Sequence, residues 1–138
     1  MTSTRLFLSG LALFLTAAPA LSIDTSGPLL CATIQVNECV DGQGCAEVLH
    51  EDVNAPTFLR IDLGKKALAT STRATPTPIE SIKQVGNKVI LQGITEAGED
   101  RAESRGWTLA LEADTGRFVA TVTISQGAIV LFGACTEI

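Results

Sequence analysis

The chain has 138 residues, with 15 acidic against 10 basic side chains, one histidine and no tyrosine. A net charge of −5, with Lys65-Lys66 as the only adjacent basic pair, argues against nucleic acid or anionic membrane as a partner, because phosphate surfaces demand Lys/Arg patches. One histidine and scattered acids leave no metal-ligand cluster and point to no cofactor.

The first twenty residues read as an address. Arg5 is the only charge before Asp24, Leu6 to Ala18 is almost wholly apolar, and Ala18-Pro19-Ala20 places small residues where a signal peptidase reads. Those 13 apolar residues fall short of the roughly 20 that span a bilayer. A lipid anchor at Cys31 is disfavoured, because Leu30 stands where a small residue is needed. Cleavage is expected near Ala20, or after Ser22. A domain over residues 21–138 then carries fifteen acids against nine bases, a charge of −6, and no transmembrane segment. A periplasmic or secreted location follows from this reading.

Cys31, Cys39, Cys45 and Cys135 make an even count, which in an oxidising compartment argues for two disulfides. Cys39 and Cys45 bracket the short Gly- and Asp-rich Val40-Asp41-Gly42-Gln43-Gly44. Cys31 lies in the first strand-like run, and Cys135 follows the last. If the sheet closes, these two strands are neighbours. The favoured pairing is therefore 31–135 with 39–45. Intervals of seven, five and eighty-nine residues suit neither zinc nor a Cys-x-x-Cys redox pair.

In chain order, Leu29–Val36 opens the domain and Ala46–Glu51 is a weaker strand. Thr57–Leu63 alternates Leu59, Ile61 and Leu63 against Arg60 and Asp62. Ala67–Ser71 follows the Gly64-Lys65-Lys66 turn, and the Pro-bearing Thr70–Pro78 reads as a loop or extended segment. Ile79–Val85 and Lys88–Ile94 flank Gly86-Asn87, a two-residue hairpin signal. Thr95–Arg105 is polar and without an apolar stripe, hence a long loop. The clearest hairpin is Gly106 to Ile124. There Trp107, Leu109 and Leu111 alternate with polar or small residues, Ala113–Gly116 turns the chain, and Phe118, Ala120, Val122 and Ile124 resume the alternation. A last strand, Ala128–Phe132, is apolar on both faces, which marks either a partner surface or a strand covered by its own domain.

Eight to nine short strands without an amphipathic helix make an all-β antiparallel meander. A closed barrel is more economical than a sandwich, since consecutive hairpins and a terminal staple both favour closure. Such a barrel resembles the lipocalin and streptavidin group (calycin-like) in architecture. Gly106-Trp107 lies late in the chain, unlike the early Gly-x-Trp of lipocalins, so no family residue is carried over. Strands near six residues with so few aromatics do not suit an outer-membrane barrel.

No catalytic constellation emerges. His50 precedes Glu51 and Asp52, but adjacent strand residues face opposite ways, and no Gly-x-Ser-x-Gly elbow exists. Glu96 to Asp100 lacks the alternate-ligand spacing of a calcium loop. The expectation is a non-catalytic binding module for a protein partner or a small apolar ligand, with Trp107 and Arg73 as candidate contacts. Trp107 is expected to fill the core rather than line a pocket, and most of the four aromatics beyond the signal segment are expected there too. The alternatives are a small hydrolase using His50 and a purely structural envelope protein.

Overall fold

The computed structural model describes residues 22–98 and 103–138. The predicted signal segment 1–20, and residues 99–102 of the predicted polar loop, lie outside the described residues. Ten strands make up the fold: β1 (Leu29–Val40), β2 (Gly44–Glu47), β3 (Phe58–Asp62), β4 (Ala67–Thr70), β5 (Thr77–Pro78), β6 (Ser81–Val85), β7 (Lys88–Thr95), β8 (Arg105–Glu112), β9 (Arg117–Ile124) and β10 (Gly127–Glu137). The described residues contain no helix.

Nine strands lie side by side in the order β5-β4-β3-β1-β10-β9-β8-β7-β6, and β2 folds back on β1. All pairings are antiparallel. The sheet curls into a half-barrel. Its two end strands are consecutive in the chain. Between them, the Ile79 amide donates to the Lys66 carbonyl at 2.8 Å and the Glu80 amide to the Gln92 carbonyl at 2.9 Å. The Pro78–Glu80 segment thus reaches from β4 to β7, across the two ends of the curl.

Alternation explains which side chains line the concave face. Trp107, Leu109 and Leu111 of β8 are buried, as are Phe118 and Ala120 of β9 and Ile129 and Leu131 of β10. In β1 the inward set is Leu29, Cys31 and Thr33, and then the register shifts between Thr33 and Gln35. This bulge adds a residue and returns Val36 to the interior, leaving Ile34 73 % exposed. Burial of each large apolar side chain contributes about 1.5–3 kcal/mol.

Both predicted disulfides are present, Cys31–Cys135 and Cys39–Cys45. Each joins residues directly opposite in register, the first between β1 and β10, the second within the β1–β2 hairpin. The first and last long strands are therefore neighbours, as barrel-like closure requires.

Several boundaries differ from the sequence reading. β1 runs on to Val40 because β2 and β10 supply it with partners on both edges. β2 spans Gly44–Glu47 instead of Ala46–Glu51, and residues 50–54 form turns with Asn54 at φ 51°. Thr77-Pro78, read as part of a loop, pairs with Ala67 and Leu68. Proline is tolerated there because the segment is a sheet end, where no ladder needs its missing N–H. β10 continues to Glu137 because β1 accompanies it throughout.

The Gly86-Asn87 turn joins β6 and β7 through a Val85–Lys88 pair, with Gly86 at φ 60° as a type II′ turn needs at its first central position. The Gly106–Ile124 hairpin pairs Trp107 with Val122, Leu109 with Ala120 and Leu111 with Phe118.

Candidate functional site

The interior is packed unevenly along its axis. Leu29, Ile61, Leu91 and Leu111 are almost completely buried and stand apart from the cavity that opens toward one end. Toward the ends of β7 and β8 marked by Thr95 and Arg105, the side chains leave a cavity of about 90 Å³.

The cavity has an apolar wall and a polar mouth. Leu59, Leu68, Leu109, Ala120, Ile129 and Leu131 supply the wall. Thr70, Thr72, Arg73, Thr77, Thr95 and Arg105 supply polar groups, and the Val53–Pro56 turn covers it. Trp107 stands between the two zones. It is buried, belongs to the core cluster and also borders the cavity. Its ring lies over Gly93, its direct partner across the β7–β8 ladder. A Cβ at Gly93 would fall 2.5 Å from Trp107 Cζ2 and 2.8 Å from the Pro78 carbonyl oxygen, so only glycine leaves room for the indole.

Five buried side-chain nitrogen or oxygen atoms of the described residues have no hydrogen-bond partner: Thr33 Oγ1, His50 Nε2, Arg73 Nε, Arg105 Nε and Trp107 Nε1. The last three belong to cavity-lining residues; Thr33 and His50 do not border it. An unmet buried donor costs about 1–3 kcal/mol.

The two residues singled out from sequence, Trp107 and Arg73, are brought to one cavity although thirty-four positions separate them. Arg105 joins them and was missed. Its signal was the alternation itself: Arg105 stands two residues before Trp107 and therefore on the same, inward face of β8. Reading Thr95–Arg105 as a loop hid that position.

His50 lies in a turn after β2, and its ring makes no hydrogen bond to any described residue. Glu51 and Asp52 are exposed beside it. No group of three or more His, Cys, Asp or Glu among the described residues is placed to hold a metal ion. Two carboxylates are held below their ordinary range, both away from the cavity. Lys88 Nζ donates to Glu112 at 2.6 Å, with Thr115 adding a second hydrogen bond, and the Ser26 amide holds Asp24.

The outer face corrects the expectation about aromatics. Phe58 is 52 % exposed and Phe132 37 % exposed, so only Trp107 and Phe118 serve the core. Phe132 shares the outward side of β10 with Val130, while Ile129 and Leu131 point in. Among the described residues, nothing buries Phe132 on this outer face.

No protein-family model matches the chain, no curated protein matches it in sequence, and no solved structure matches it. Among the described residues, no helix is long and apolar enough to cross a membrane.

Proposed function

We propose that this protein is an exported, non-catalytic binding module that takes a small ligand into the cavity beside Trp107. The carrying observation is the cavity's composition: an apolar wall meeting polar side chains at one end, two of them cationic, with unmet donors among its lining. A well-formed apolar pocket with a few convergent polar groups is the usual form of a small-molecule site. Two disulfides in so small a domain support export, since such bonds persist in oxidising compartments.

At about 90 Å³ the space is smaller than the roughly 150 Å³ apolar cavity that accepts benzene, so it takes a short alkyl chain whose polar head stays at the mouth. The hydrolase alternative draws less support, because no described hydroxyl or carboxylate hydrogen-bonds His50. Titration with hexanol, hexanoate and hexylamine, followed by the fluorescence of Trp107, tests the reading. It predicts saturable change with at least one of the three. No change with any of them contradicts it.

A further inference from the structure

We propose that the cavity selects a small monocarboxylate, whose head is received by Arg73, Arg105 and the indole N–H of Trp107 and whose alkyl tail lies against the leucine wall. This rests on the ligand-binding reading above and names the ligand's chemistry. The three unmet polar atoms of the cavity-lining residues are all donors, and none is an acceptor. Guanidinium and indole have no acceptor capacity at all, so the complement must offer oxygen lone pairs. An ammonium offers these three atoms no lone pair and meets two like charges, leaving it only the threonine hydroxyls as acceptors.

The charge of the two arginines sets the sign of the head. Among the described residues, neither guanidinium has a carboxylate within 4 Å; the only ion pairs are Lys65–Asp62 and Lys88–Glu112. Glu38, Glu51, Asp52 and Glu103 line an adjoining cleft with Arg105. Their negative field favours a single charge over a doubly charged phosphate. Arginine pairs with carboxylate through two parallel hydrogen bonds, which fixes the head at the mouth and leaves the tail to fill the apolar end. Trp107 is 7 % exposed, so its N–H has almost no access to solvent and gains most from an acceptor inside.

Calorimetry on the full domain with hexanoate, hexanol, hexylamine and hexyl phosphate separates the possibilities. Hexanoate is expected to bind about ten- to a hundred-fold more tightly than hexanol, the range of a charge-assisted hydrogen bond, with hexylamine weakest. Equal binding of hexanoate and hexanol overturns the carboxylate assignment but leaves the cavity reading standing. Tighter binding of hexyl phosphate also overturns it. Failure of every compound to bind removes both. In Arg105→Met and Arg73→Met, hexanoate should fall to the affinity of hexanol while the melting temperature of the ligand-free protein holds or rises, because a half-buried cation with an unmet buried Nε is removed. A melting temperature lowered in both variants, with hexanoate affinity retained in whichever stays folded, overturns the proposal.

Discussion

Gly93 and Trp107 face each other across the β7–β8 ladder, and the indole occupies the space where any other residue at position 93 would carry its Cβ. The pair fixes the ring at the place where the chain crosses from β5 to β6, since the Pro78 carbonyl closes the same space. Gly93→Ala should therefore force the ring or the Pro78 segment to shift. Overpacking of this kind costs about 1–3 kcal/mol. Urea unfolding measures the loss, and a displaced Trp107 emission maximum would show that the indole moved.

Trp107→Ala should cost about 3–5 kcal/mol, the range for a large aromatic removed from a core. Trp107→Phe retains most of the apolar surface and removes only the N–H. It should be far milder in stability while still weakening ligand affinity. The contrast between the two variants separates the ring's packing from its hydrogen bond.

The two disulfides should contribute unequally. Cys31–Cys135 spans 104 positions and Cys39–Cys45 only six. By loop-closure entropy the long link contributes about 4.7 kcal/mol and the short one about half as much. Replacing each pair by alanine and comparing denaturation midpoints checks the ratio. The 31–135 variant should show the larger drop, increased further by loss of buried sulfur at Cys31.

Glu112 is held below the ordinary carboxylate range by Lys88 and Thr115, so its contribution to stability is present above the unfolded value near 4.5. It is lost as pH falls through the lower folded value. Both partners are well exposed, so the effect is small and screened by salt. In Glu112→Gln, the acid side of the stability profile should flatten slightly and the neutral side should barely change.

The parts of this fold legible in the sequence are those fixed by local chemistry. Alternation placed Trp107, Leu109 and Leu111 inward, Asp114 and Gly116 marked the turn, and Gly86-Asn87 marked another. The cysteine pairing was legible as a preference, because a short Gly-rich loop brings Cys39 back to Cys45 and a curling sheet sets the first and last long strands side by side. Strand ends were less so. Thr77-Pro78 becomes a strand only because β4 lies alongside, and β1 reaches Val40 only because β10 and β2 flank it. The cavity lay beyond reach for a related reason. It is a gap left by packing among strands far apart in sequence, and Arg105 entered it from a stretch whose polarity suggested solvent.

An acceptor-bearing ligand is expected to seat beside the only tryptophan. Because that residue is unique, its indole N–H gives a single resonance in a ¹H–¹⁵N spectrum. Titration of the ¹⁵N-labelled protein with hexanoate should move this one resonance downfield, saturably, as a new hydrogen bond forms. An indole resonance that stays in place through millimolar hexanoate would contradict the account.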